Sequence, residues 1–310
     1  MSWTYDPVAS EYLGDWIPRC PHRLDFTMRI ESADVCFVGK PDHQPHIHVP
    51  HPEEKTVIFL RHGQSEANVM RDEVGFGPNN PIIRDARLTE RGKSQAQRIA
   101  NMVKAWNVDC VIVSPLSRAL QTFGYAFDDV FRDPDQRDPQ VIISPLVTEF
   151  YPNQVENVGR TLDDLLNDPE VLQVPIFSSR SLHDPFHLYP SRLFEEISRQ
   201  YRALDPEWWE ISGDFHRLQR LCEMIHGMPF KRIAVVAHWG LIHAVLSHLP
   251  HAPYPWKGYP RISNCNWIVT AWSPIIDDQT RHQHHHDSHS HRQQHEQSLQ
   301  RREIILRHLL

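Results

Sequence analysis

The sequence predicts an α/β domain in three layers, a three-layer αβα sandwich with helices on both faces of a mostly parallel central sheet. Residues 57–60, 110–113 and 232–237 carry that expectation. Each is a short apolar run rich in β-branched residues, followed by a turn and then by residues at helical spacing. Unbroken apolar runs of this kind suit strands buried on both faces. A chain of 310 residues, 40% hydrophobic and 23% charged, has room for one such domain with added segments.

Charge and cysteine content narrow the class. A net charge of −7 and a pI near 6.3 give no global basic field, which argues against a nucleic-acid partner. Cys20, Cys36, Cys110, Cys222 and Cys265 form no close pairs, so neither a zinc ribbon nor a redox motif is expected, and the usage fits a reducing compartment. The opening residues lack a basic start followed by an apolar run, and no later stretch is apolar for long enough to cross a bilayer. The expectation is a soluble cytoplasmic protein with no membrane partner and an oligomeric state left open.

Residues 1–54 read as an N-terminal extension, wrapped on the domain or partly disordered. Pro7, Pro18, Pro21, Pro41, Pro45, Pro50 and Pro52 interrupt it, and only 34–38 is predicted as a brief strand. His43, His46, His48 and His51 lack acidic or cysteine partners at fixed spacing, so no metal site is assigned to them. The domain proper is expected over 55–275. Its first strand ends in Arg61-His62-Gly63, at the carboxyl edge where ligands bind in open α/β sheets. Gly63 lets a substrate or another backbone approach closely, and an arginine fork beside an imidazole can hold a phosphoryl group next to a nucleophile.

Residues 71–86 are rich in Gly, Pro and Asn and read as a loop, and Thr89 then caps a predicted helix of about fifteen residues. After the strand at 110–113, a Ser114-Pro115 turn places Arg118 near a helix N-terminus, where free N–H groups and the dipole favour an anion. The apolar segment from Val141 ends in a carboxylate, Glu149. Residues 161–212 form a Pro- and aromatic-rich insertion, read either as a lid or as helices completing the core, with helices predicted over 195–204 and 214–224. The strand at 232–237 leads into His238 and a helix over 241–249. Residues 276–310 form a His-rich tail, expected to be disordered, in which His282, His284, His285, His286, His289, His291 and His295 suit adventitious metal binding. Its end, 299–310, is predicted as a short amphipathic helix.

Arg61-His62-Gly63, with Ser65 and Asn68 behind it, resembles the phosphohistidine motif of the histidine phosphatase superfamily, which includes the phosphoglycerate mutases. Residues 88–96 resemble its structural Leu-Thr-x-x-Gly-x-x-Gln-Ala segment. Ser114-Pro115-x-x-Arg118-Ala119-x-Gln121-Thr122 resembles the motif whose arginine binds the phosphoryl group. His238 resembles the second catalytic histidine, although the usual His-Gly pair is here His238-Trp239-Gly240, and 262–269 resembles a late Asn-Cys strand. Together these cover about 55–272.

The resemblance implies a phosphoglycerate mutase-like fold and a metal-independent phosphohydrolase of histidine acid phosphatase type. It implies no cofactor, no metal and a small phosphorylated substrate. It makes His62 the nucleophile and Arg61, Arg118 and His238 the holders of the phosphoryl oxygens, with Asn68 and Ser65 assisting. Glu149 is implied as the general acid and base. Residues 150–160 match neither the mutase sequence nor the Gly-Asp-Trp-Glu-Gly type of segment, so Glu156 stands as a rival acid. Arg71, Arg84, Arg87 and Arg160 are candidates for contacting further negative charge on the substrate. The alternatives are a phosphoglycerate-type mutase, a non-catalytic phospho-ligand-binding module, and a metal-handling protein built on the histidine-rich ends.

Overall fold

The computed structural model of the chain describes residues 26–33, 53–74, 83–150, 154–168, 191–214, 216–246 and 262–274. The strand predicted at 34–38, the histidines near both ends, much of the insertion, the end of the helix predicted over 241–249 and the whole 276–310 tail lie outside these residues.

One sheet contains β1 (Phe26–Ala33), β2 (Lys55–Arg61), β3 (Cys110–Val113), β4 (Gln140–Ile143), β5 (Arg232–Ala237) and β6 (Trp267–Pro274), in the order β1-β6-β2-β5-β3-β4. β2, β5, β3 and β4 pair in parallel, whereas β6 is antiparallel to both β1 and β2. All strands but β6 therefore point the same way. The described helices are α1 (Glu66–Val74), α2 (Glu90–Arg98), α3 (Ala100–Trp106), α4 (Ser117–Ala126), α5 (Asp128–Arg132), α6 (Leu162–Leu166), α7 (Ser191–Arg202), α8 (Arg217–Gly227) and α9 (Trp239–Leu246).

Period-two alternation divides the strand residues between two cores. Ile58, Leu60, Val111, Val113, Ala234 and Val236 pack with Ala96, Val103, Phe123 and Ile197 from α2, α3, α4 and α7. Val57, Phe59, Ile112, Ile233 and Val235 pack on the opposite face with Leu218, Leu221, Leu241 and Val245 from α8 and α9. These are the three layers expected, and double-sided burial is why the strands read as unbroken apolar runs. Full burial of a side chain such as Phe59 or Phe123 stabilises by roughly 1.5–3 kcal/mol.

Two elements differ from expectation. Within the stretch read as an extension, Phe26–Ala33 forms an edge strand on β6, a position the proline-rich surroundings had hidden. The helix after Thr89 is two helices divided at Ile99. Thr89 does cap the first, its hydroxyl accepting the Gly92 N–H at 3.1 Å, and the second stops at Asn107, whose φ of 47° is left-handed. In the insertion, the described residues Leu165, Ile197, Tyr201 and Trp208 are buried in the first core, so this part completes the domain interior. No helix among the described residues is long and apolar enough to cross a membrane.

Candidate active site

Four neighbouring parallel strands deliver residues to one sheet edge. β2 runs out at Arg61 and His62, β5 at His238, and β3 at Ser114 with Arg118 on the next helix. β4 reaches Glu149 through a short 3-10 turn, Pro145–Val147. Carboxyl ends of adjacent strands are fixed by the ladder itself, so the geometry is set by rigid backbone.

His62 is 3% exposed, with Nδ1 2.7 Å from the Gly63 carbonyl. A carbonyl only accepts, so Nδ1 carries the proton and the lone pair lies on Nε2. Burial first, and then the charges of Arg118 and Arg61, push the His62 pKa well below the usual imidazole range. The ring is therefore neutral at pH 7. His238 stands beside it, with ring centroids 5.1 Å apart, and its Nε2 meets the Ser114 hydroxyl at 2.8 Å. Burial, followed by the charges of Arg118 and His62, depresses its pKa well below the usual range as well.

Arg61 donates from Nη1 to the Ile262 carbonyl at 2.6 Å. Arg118, the second residue of α4, donates from Nη1 to the Glu156 carbonyl and from Nη2 to Asn157 Oδ1, both at 2.7 Å. Burial lowers both arginines, Arg61 to about 10, and the Glu149 charge opposes the shift in each. Both stay cationic at neutral pH. Asn68 Oδ1 accepts from the Ser65 amide, the Ser65 hydroxyl and Asn264 Nδ2 at 3.0–3.1 Å.

Glu149 is nearly buried. Its Oε1 accepts the N–H groups of Phe150 at 2.8 Å and Leu241 at 3.2 Å, and its Oε2 accepts that of Gly240 at 3.2 Å. The carboxylate thus sits on the first turn of α9, directly after His238, where free N–H groups favour an anion. Trp239, the departure from the family's His-Gly pair, packs against the second core with its ring 4.2 Å from that of His243. Glu156, the rival acid, instead pairs with Arg71 at 2.8 Å. The other candidate arginines are engaged within the fold: Arg87 with Asp168 at 2.7 Å, Arg160 with Asp85 and Asp168, and Arg84 with the Gly159 carbonyl at 2.7 Å.

Several positioning residues were not singled out from the sequence. Thr122 Oγ1 accepts the Gly63 N–H at 3.0 Å, Gln95 Oε1 accepts that of Gln64 at 2.8 Å, and Asn264 Nδ2 donates to the His62 carbonyl at 3.1 Å. Ser114, Thr122 and Gln95 all lie inside motifs already noted, which was the available signal. Gly63 and Gly92 press backbone to backbone: a Cβ on Gly92 would lie 2.1 Å from the Gln64 carbonyl oxygen, and one on Gly63 would lie 2.6 Å from that of Gly92. Arg217 belongs to no motif. It is fully buried beneath the Glu149 segment, donates to the Thr148 and Leu146 carbonyls at 2.7 and 3.2 Å, and lies 4.0 Å over the Phe150 ring.

The sequence profile of the histidine phosphatase superfamily (branch 1) matches residues 57–139, a span holding Arg61, His62 and Arg118. A probable phosphatase from Schizosaccharomyces pombe is 27% identical over 188 residues, 60% of this chain and 74% of that protein. A phosphoglycerate mutase from Candida albicans is 38% identical over 74 residues, 23% of this chain, so the match spans only 27% of the mutase's length. Among solved structures, the mycobacterial glucosyl-3-phosphoglycerate phosphatase aligns with a TM-score of 0.39 at 19% identity, covering 70% of this chain and 90% of its own. Arg61, His62 and Arg118 thus lie in the part of the chain that matches the histidine phosphatase superfamily (branch 1), and the chain is similar to phosphatases and mutases of that superfamily.

Proposed function

We propose that the protein hydrolyses small phosphomonoesters through a phosphohistidine on His62, in a domain spanning about 55–275. The observation that carries the reading is the Nδ1–H···O=C bond from His62 to Gly63 at 2.7 Å, which leaves the lone pair on Nε2 of a neutral ring held beside the charges of Arg61 and Arg118.

In the first step Nε2 attacks phosphorus in line and the bond to the leaving oxygen breaks. The imidazole becomes cationic as the N–P bond forms, and the Nδ1–H bond to Gly63 stabilises that charge. Arg61, Arg118 and His238 hold the equatorial oxygens, and the amide nitrogen of Asn68 is the end left for a ligand, since its oxygen already takes three donors. Ser65 acts by orienting Asn68. Glu149 hands a proton to the leaving oxygen as the bond from phosphorus to that oxygen breaks. In the second step Glu149 takes a proton from water as that water attacks phosphorus, the N–P bond breaks, and His62 returns neutral. Hydrolysis is favoured over mutase chemistry because residues 150–160 do not follow the mutase pattern.

The test is p-nitrophenyl phosphate turnover with EDTA and with vanadate. Turnover that survives chelation and is inhibited by vanadate, which mimics the trigonal-bipyramidal phosphoryl group, is the expected result. Loss on chelation with recovery on adding Mg²⁺ or Zn²⁺ would transfer the arginines' role to a metal.

A further inference from the structure

Arg217 is a buried charge to which the steps above give no role. It is the first residue of α8 and is fully buried. Its Nη1 donates to the Thr148 carbonyl at 2.7 Å and to the Leu146 carbonyl at 3.2 Å, and the guanidinium lies 4.0 Å over the Phe150 ring. It therefore grips the residues on both sides of Glu149. Among the described residues nothing accepts a hydrogen bond from its Nε or Nη2. Burial lowers its pKa to about 9, and the charge of Glu149 is the first to oppose that shift, ahead of Asp214. Asp214 is engaged elsewhere, with Arg220 and with the His216 N–H at 2.8 Å. A buried cation is costly unless it is compensated, and here the compensation comes from the segment that carries the acid.

That segment needs an anchor. His62 and His238 directly follow strands, whereas β4 ends at Ile143 and the chain reaches Glu149 only through Ser144, the 3-10 turn Pro145–Val147 and Thr148. No sheet ladder fixes the acid. Building on the phosphatase reading, we infer that Arg217 is a positioning residue for proton transfer: its guanidinium fixes residues 146–150, so that the Glu149 carboxylate, held from the other side by the N–H groups of α9, stays at the leaving oxygen. A guanidinium suits the task because its planar fork reaches two carbonyls while stacking on a ring. Arg217 touches no reacting atom and acts through Glu149.

The experiment compares phenyl phosphate with p-nitrophenyl phosphate, alike in shape and different in the basicity of the departing oxygen. The readout is the ratio of their kcat/KM values, which covers the steps up to departure of that oxygen and is independent of the folded fraction. Glu149→Gln sets the scale, because a lost proton donor costs more on phenyl phosphate. Arg217→Met should lower the phenyl to p-nitrophenyl ratio by at least about 5-fold, and in the Glu149→Gln background the same change should leave it within about twofold. Arg217→Lys keeps the charge and loses the fork, so its ratio should fall by about threefold. Equal losses on both substrates in Arg217→Met reduce the residue to a stability role and overturn the inference. A fall of the same size in the Glu149→Gln background also overturns it, since Arg217 would then act by another route. Should Arg217→Met not fold, Arg217→Lys decides, and a wild-type ratio there overturns the inference. A wild-type ratio in Glu149→Gln would remove the acid assignment and the positioning role with it. No wild-type turnover of p-nitrophenyl phosphate would remove the phosphatase reading, whereas a lowered ratio in Glu149→Gln with an unchanged one in Arg217→Met removes only the positioning role.

Discussion

Gly92→Ala sets two physical effects against each other. Gly92 is the third residue of α2, and alanine is the better helix former by about 1 kcal/mol, so propensity alone predicts a more stable protein. Space predicts the reverse. The new Cβ would lie 2.1 Å from the Gln64 carbonyl oxygen and 3.0 Å from the Gln64 carbonyl carbon and nitrogen. Against an ordinary van der Waals separation of about 3.5 Å the closest contact is short by more than ~1 Å. Backbone atoms stand on both sides, so no side chain can swing away. Either α2 or the 62–65 loop must shift, and the loop is held at Gln64 by Gln95 and Thr89 from the same helix. Overpacking of this kind costs roughly 1–3 kcal/mol, which outweighs the propensity gain. A displacement near 1 Å two residues from His62 should lower kcat by about 10²-fold. Thermal unfolding and p-nitrophenyl phosphate turnover measure both quantities on one preparation. A variant with kcat within threefold of wild type and an unchanged or raised Tm would refute the claim that α2 buttresses the nucleophile loop.

Two further predictions concern proton transfer and pH. Glu149→Gln should lower kcat by about 10²–10⁴-fold on an alkyl phosphate, whose alkoxide needs a proton, and by much less on p-nitrophenyl phosphate; equal losses on both substrates would contradict the acid role. His62 and His238 have folded pKa values well below 6.5, so below about pH 6.5 the unfolded chain binds protons that the folded chain refuses. Stability is then fully present above the unfolded pKa and falls with pH beneath it, by about 1.4 kcal/mol for each histidine between pH 7.5 and 5.5. The unfolding free energy of the wild type minus that of His62→Asn, from denaturant titrations, should fall by that amount between pH 7.5 and 5.5, and a constant difference would show that His62 is not held neutral.

The site was legible where chemistry sits at strand junctions. Arg61, His62 and His238 end apolar runs, and Arg118 follows a Ser-Pro turn, so local pattern placed them at element junctions while the family resemblance supplied their roles. What escaped depended on partners distant in sequence. Phe26–Ala33 alternates Phe, Met and Ile with Thr, Arg and Glu, a period-two signal for an edge strand, but its partner is β6, more than two hundred residues away. Arg217 belongs to no motif, and only the packing of α8 beneath Thr148 and Phe150 buries it. Position in the chain favoured Glu149 and left Glu156 as a rival. The structure distinguishes their settings, one carboxylate on the first turn of α9 beside His238 and the other on Arg71.

Rapid quenching of the wild type during turnover of a ³²P-labelled phosphomonoester tests the account at its centre. The expected result is a base-stable, acid-labile label that maps to the peptide containing His62, forms at least as fast as kcat, and is missing in His62→Ala, which does not turn over. Turnover in the wild type with no such label, or label and activity persisting in His62→Ala, would contradict it.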